Sequence, residues 1–249
     1  MSNIDVVISS KVLTNRNEDN YPIFCYRVFN ESFEKGGRFY FIHQNIKKYV
    51  YVENGVKEYK KPIKSIGFNK KTKKRDTNLT ELDFKSMHPN LILNSCGIKC
   101  QSNLYDVPDV HRNVVKMFII ICFNAKSRKS ALSALRIKLL NAKDKFDNPT
   151  PLMKGDFDKI NNHFKITNPI LYNNFYTGIG ILLQKKDSDI LNKIMKECVD
   201  NLIPMVPYHD SIVVKTINKD KAYNIMMKAY KEVAGFDPII EEVPAGNLI

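Results

Sequence analysis

At 249 residues, 43% of them hydrophobic, the chain is long enough to bury a substantial core as one large domain or two small ones. No apolar run approaches the ~20 residues of a membrane helix, and no basic segment leads into an apolar stretch at the N-terminus, so neither a membrane span nor a secretory signal is expected. A net charge of +13 favours a polyanionic partner, most commonly nucleic acid, with a codon bias toward Lys and Asn as the competing account.

Five cysteines, Cys25, Cys96, Cys100, Cys122 and Cys198, are odd in number and irregularly spaced. Cys96 and Cys100 lack a second pair to complete a zinc site, which points to reduced thiols in an intracellular, cytoplasmic protein. In chain order, Ile4–Ile8 and Ile23–Phe29 read as short strands. In the run 34–42, Gly36 and Gly37 allow close backbone approach before Arg38 opens a strand with Phe39, Tyr40 and Phe41. Arg beside exposed aromatics suits phosphate pairing and base stacking, and a hairpin turn before a core strand is the alternative. Tyr49–Tyr59 reads as a hairpin around Asn54 and Gly55. The run 68–76 is a polar, basic loop suited to tracking a phosphate backbone without reading sequence.

The stretch 79–90 is the most informative. Thr80, Leu82 and Phe84 alternate with Glu81 and Asp83, which predicts a strand with two acids on one face. Pro89 suits the first turn of a following helix, whose apolar positions Met87, Leu91, Ile92 and Cys96 run to a stop at Gly97. Asp83 therefore sits where strand turns to helix. A carboxylate there can hold Mg²⁺ together with substrate phosphates, or serve as a plain turn residue.

A helix is expected from His111 to Asn124, capped by Asp106–Asp109, with Arg112 and Lys116 on one face at i and i+4. Met117–Phe123 is apolar all round, so this helix should be buried from several sides. Lys116 at its edge needs either an anion, such as a nucleotide phosphate, or a path to water. Ala125–Lys145 is a second, basic helix, and 146–170 looks like loops around a short one. The run 177–184 lacks the full dinucleotide fingerprint. From Asp187 to Leu202, residues Ile190, Leu191, Ile194, Met195, Cys198 and Leu202 trace one apolar helical face. Ala222, Ile225, Met226, Ala229, Tyr230 and Val233 trace another, ended by Gly235. Between them, Ile203–Lys215 reads as two strands around a tight turn, with the second over Ile212–Thr216 and with His209, Asp210 and Ser211 at the tip or its edge. Two acids from distant parts of the chain are what two-metal phosphoryl transfer needs, with ions roughly 3.5–4 Å apart.

Together these residues carry a resemblance. Asp83 before an apolar helix resembles motif A of family A DNA polymerases and single-subunit phage-type RNA polymerases, and Arg112-x3-Lys116 resembles their motif B. His209-Asp210-Ser211 is similar to motif C, its Ser being closest to the RNA polymerases. Gln184-x4-Asp189-Ile190 resembles the segment that opens a palm helix in family A, and Gly37-Arg38-Phe39-Tyr40 the Gly-Arg-x-Tyr segment before motif A of the phage-type enzymes. All five stand in family order over roughly residues 36–216. Closer still are the compact polymerase-like proteins of phages, virophages and mobile elements, which combine Gly-Gly-Arg-Phe-Tyr, a motif A with His-Pro, and His-Asp-Ser.

The resemblance implies an α+β right-hand polymerase palm, an antiparallel sheet with helices, and a reduced helical fingers region. Residues 1–62 would be an N-terminal strand-rich region, 63–100 and 170–249 the palm, and 101–169 the fingers-like insertion. It implies a template-directed nucleotidyltransferase, in the first instance a DNA polymerase, with RNA polymerase or primase activity as variants. Two Mg²⁺ ions, or Mn²⁺, would be held by Asp83, the Phe84 carbonyl and Asp210. Arg112 and Lys116 would grip the triphosphate, with Lys116 as proton donor and His88 and Asn124 in the nucleotide site. Arg38, Gln184 and His209 would position primer and template. Primer–template DNA and nucleoside triphosphates are the implied partners, with RNA as an alternative template and a replication helicase or primase alongside; no membrane is implied. His88 stands where family A carries Glu, and Asn124 where both relatives carry Tyr, so aromatic gating of the nucleotide sugar is absent. Two other classes share part of the pattern: a metal-dependent nuclease needs the acids without the triphosphate grip, and a non-catalytic nucleic-acid-binding accessory protein needs the charge without the acids.

Overall fold

A computed structural model describes residues 6–9, 22–30, 32–43, 51–53, 56–58, 68–69, 74–75, 79–140 and 155–244. The chain is α+β. It begins with β1 (Val6–Ser9), β2 (Pro22–Asn30), β3 (Ser32–His43), β4 (Tyr51–Glu53), β5 (Val56–Glu58), β6 (Phe68–Asn69) and β7 (Lys74–Arg75). Next come β8 (Leu79–Phe84), α1 (Met87–Ser95), α2 (Arg112–Asn124), α3 (Arg128–Leu140), α4 (Asp156–Thr167), α5 (Pro169–Asn173) and α6 (Gly180–Asp200). The last elements are β9 (Met205–Tyr208), β10 (Ser211–Lys215), α7 (Lys219–Ala234) and β11 (Ile240–Pro244). Contacts divide the chain into two units, 1–85 with 185–249 and 86–184. The expected turn at Asn54 and Gly55, residues 70–73 of the basic run, and residues 141–154 lie outside the described residues.

In the first unit, β8 is central because alternation gives it one largely apolar, buried face. Thr80, Leu82 and Phe84 are buried, while Glu81 and Asp83 are half-buried on the opposite face. The strands run in the order β11-β8-β10-β9, every neighbour antiparallel. The apolar face packs on α7, where the Phe84 and Tyr230 rings lie 5.3 Å apart. The stripe Ala222, Ile225, Met226, Ala229 and Tyr230 is buried as its spacing predicts, Val233 is only half-buried, and Gly235 caps the helix at φ 79°. The second hairpin strand starts at Ser211 rather than Ile212, and Thr216 has already passed into a 3₁₀ turn.

A second sheet of this unit pairs β1, β2 and β3. The expected strand after Gly37 is longer at its start. It begins at Ser32 and runs through both glycines, with Val28 opposite Arg38 and Phe29 opposite Gly36. Gly37 is thus the extra residue of a bulge. Gly36 and Gly37 have φ of 76° and 82°, which any residue with a Cβ adopts only at a cost. The basic run 68–76 is not wholly loop, since β6 and β7 pair across it.

Helix α6 starts at Gly180, earlier than the expected Asp187. Its stripe is buried through Cys198, but Leu202, expected on that face, is 90% exposed. The helix ends first: Leu202 takes a positive φ of 56°, its N–H bonds the Val199 carbonyl at 3.0 Å, and Ile203 folds back to the Cys198 carbonyl at 2.8 Å. This Schellman closure turns Leu202 outward and buries Ile203 in its place.

In the second unit, α1 ends at Cys96 and Gly97 as its pattern predicts. Helix α2 is capped by the His111 ring, which accepts from the Asn113 N–H at 3.2 Å, instead of by Asp106–Asp109. Asp109 instead pairs with Lys159 of α4 at 2.9 Å. Val114, Val115, Phe118, Ile119, Ile121, Cys122 and Phe123 are buried, and Met117 and Ile120 half-buried. Phe175, just beyond α5, is the hub of the core: the rings of Phe118, Phe123 and Phe164 sit 5.6, 5.7 and 5.6 Å from it. Burial pushes the thiols of Cys122 and, in the first unit, Cys198 up to about 12, which keeps them protonated and inert at neutral pH. No helix among the described residues is long and apolar enough to cross a membrane.

Candidate active site

Asp83 and Asp210 meet at one end of the β8–β10 ladder. Ser211 lies opposite Asp83, and the Phe84 N–H donates to the Asp210 carbonyl at 3.1 Å, so the two acid-bearing residues are fastened together by backbone. Both carboxylates are half-buried. His209 and Asp210 form the two-residue turn between β9 and β10, and only His209 of the two has positive φ, 56°. In a two-residue hairpin that is the pattern of a type II′ turn, where Gly is usual. Ser86, three residues after Asp83, also has positive φ, 51°. Backbone strain thus brackets both acids, and such strain persists only where surrounding structure enforces it.

Three further side chains complete this face of the sheet: Glu81 and Ser211, both noted in the sequence, and Glu241, which was not. The Ser211 hydroxyl bonds the Glu81 carboxylate at 2.6 Å, and Glu241 of β11 lies opposite Asp83 and pairs with Lys85. The alternation of 79–84 already placed Glu81 beside Asp83; Glu241 was invisible because nothing local reveals which strand pairs with β8. Among the described residues no three His, Cys, Asp or Glu side chains converge as a ready-made metal cage. Two carboxylates and a backbone carbonyl are nonetheless hard oxygen donors of the kind Mg²⁺ uses, its remaining ligands being water and substrate phosphates.

Arg38 is held by Asp187 of α6, whose carboxylate is 2% exposed, at 2.9 Å, with a second contact from Nε at 3.3 Å. Asp187 also accepts from the Ser188 hydroxyl at 3.2 Å. A signal existed for this acid: Asp187, Leu191, Ile194 and Cys198 share one helical stripe, so Asp187 is a carboxylate on a buried face and requires a cation. Arg38→Ala leaves that carboxylate buried without its guanidinium. We expect a loss on the order of 3 kcal/mol in urea unfolding, with Arg38→Lys losing less. An unchanged midpoint would show that Asp187 is adequately held by its other contacts.

The remaining residues belong to the second unit. Arg112 and Lys116 are both exposed on α2, and the Arg112 guanidinium lies over the Tyr105 ring at 5.2 Å, a contact that orients it. Among the described residues Lys116 has no acidic partner. Asn124 ends α2 with its amide donating to the Ile120 carbonyl at 2.7 Å. The same amide leaves no room for a Cβ at Gly180, which explains why α6 begins on glycine. Gln184 is half-buried on α6 and His88 half-buried in the first turn of α1. Helix α1 has no side-chain N-cap, and the buried hydroxyl of Ser86 before it makes no hydrogen bond, an arrangement suited to an oxygen-rich anion.

No protein-family model matches the chain, and no curated protein matches it. Among solved structures it is similar to the POL domain of Pol1 from M. smegmatis in complex with DNA primer-template and dNTP, at 8% identity and a TM-score of 0.39. The match covers 88% of this chain and 46% of that one, so the chain spans about half that structure's length.

Proposed function

We propose that this protein is a template-directed nucleic-acid polymerase that extends a DNA primer with nucleoside triphosphates. The observation that carries the reading is the fastening of Asp210 to the Asp83–Phe84 strand end through the Phe84 N–H, which pairs two acids 127 positions apart in sequence. In this reading the four-stranded sheet with α7 is the palm and residues 101–169 are the fingers. Asp83, the Phe84 carbonyl and Asp210 hold two Mg²⁺ ions, or Mn²⁺. Bound there, the cations supply Lewis-acid activation of the primer hydroxyl and charge stabilisation of the leaving pyrophosphate.

The chain's own residues do the rest. Arg112, pre-oriented on Tyr105, and Lys116 one turn on grip the triphosphate through charge-assisted hydrogen bonds. Lys116 delivers a proton to the departing pyrophosphate. His209, Gln184 and Arg38, the last fixed by Asp187, position primer and template, and His88 and Asn124 adjoin the nucleotide.

A labelled primer–template incubated with Mg²⁺ and either deoxynucleotides or ribonucleotides, beside a gel shift, tests the class. Templated lengthening that stops on chelation is expected. Shortening of the primer would make this a nuclease, and a shift with no change in length a binding accessory.

A further inference from the structure

From His111 to Leu140 the chain contains no acid and seven Lys or Arg residues. Several helical lysines elsewhere among the described residues are matched to carboxylates. Lys193 pairs with Glu232 at 3.0 Å, Lys228 with Glu197 at 2.9 Å and Lys231 with Asp237 at 2.9 Å.

The surplus is concentrated on α3. Ala131 and Leu135 bury one side of it, and Lys129, Ser130, Ser133, Arg136 and Ile137 are exposed on the other; Ala134 and Lys138, nearer the buried side, are also exposed. Lys129, Ser133 and Arg136 form one stripe at i, i+4 and i+7, while Lys138, at i+7 from Ala131, leaves the helix about half a turn round from that stripe. Arg128 at the start of the helix is engaged by Asp158 and by the Phe157 ring. Lys129, Arg136 and Lys138 have no acidic partner among the described residues. Small Ser and Ala side chains between the cations leave room for close approach, and the Ser133 hydroxyl suits a phosphate oxygen.

We infer that the exposed surface of α3 is a docking surface for a nucleic-acid phosphate backbone, held without sequence preference. An extended polyanion with regularly spaced charges complements a helix surface that exposes Lys129, Arg136 and Lys138 and carries no acid. The inference depends on the polymerase reading only for the class of partner.

The test is the salt dependence of binding to a fluorescent single-stranded oligonucleotide, with a duplex arm and a polyglutamate arm. The triple variant Lys129→Ala, Arg136→Ala, Lys138→Ala should lower the slope of log K against log salt by about 2, at ~0.7 per lost contact. Referred to about 1 M salt, that is roughly a 50-fold loss at about 0.15 M. The control is Lys193→Ala, Lys228→Ala, Lys231→Ala, which removes the same net charge from acid-paired positions and should leave the slope nearly unchanged. A Gln triple at 129, 136 and 138 repeats the experiment with strong helix formers should the Ala triple melt early. Equal slope losses in the two triples would mean that net charge acts and α3 does not, and no loss in the α3 triple would make its face merely solvated. Polyglutamate bound as tightly as the oligonucleotide, and weakened equally by the α3 triple, would assign the face to an acidic protein. A wild-type protein that incorporates no nucleotide yet shows the α3 slope change would remove the polymerase reading and leave this surface standing.

Discussion

Asp83→Asn and Asp210→Asn are each expected to abolish primer extension while leaving oligonucleotide binding within about twofold, since backbone affinity comes from distributed Lys and Arg. Asn keeps the size of the side chain and removes the anionic charge that a hard cation requires. Charge stabilisation of this kind contributes several kcal/mol at the transition state, so about 4 kcal/mol corresponds to roughly 10³-fold in rate. The two variants should be equally damaging, because either loss opens the same site. The ladder that fastens them uses backbone groups that Asn retains, so circular dichroism should match wild type. Isothermal titration with Mn²⁺ gives a readout independent of turnover: wild type should bind, and each variant more weakly. Extension by either Asn variant at near-normal rate would sink the assignment of these acids. Retained Mn²⁺ affinity with lost extension would mean that the acid acts on substrate instead of cation.

Lys116→Ala should lower single-turnover incorporation by about 10²–10⁴-fold if Lys116 protonates the departing pyrophosphate. Lys116 is exposed and has no acidic partner among the described residues, so its removal breaks no ion pair and should not unfold α2. Arg112→Ala, by contrast, should chiefly raise the nucleotide concentration needed for half-maximal rate, because Arg carries no transferable proton at neutral pH. Rapid-quench measurements across a nucleotide titration separate the two constants. Lys165→Ala, exposed on α4, is the control and should alter neither. A Lys116→Ala variant with only a weakened nucleotide affinity would reduce its role to that of a phosphate contact. Normal values for both constants would mean that the side chain only solvates the edge of an apolar helix.

Much of this architecture was legible because it is written in local periodicity. Alternation over 79–84 specified which side of β8 is buried, and the 3.6-residue stripes of α6 and α7 specified their buried faces, since one face of each element must leave water. Asp83 at a strand end and Asp210 at a hairpin turn followed from the same patterns. What local pattern does not carry is pairing between distant segments. That β8 lies between β10 and β11, that Glu241 therefore stands opposite Asp83, and that Ser211 bonds Glu81 are consequences of strand order, which is settled by how all faces are buried at once. The fate of Leu202 was a local competition won by the helix end, where a left-handed closure satisfied orphan carbonyls and turned one leucine out. Arg38 shows the division most clearly. Its charge and aromatic neighbours are sequence properties, but its partner Asp187, 149 positions away, is assigned only by the tertiary structure, which brings the guanidinium to a buried carboxylate that requires a cation.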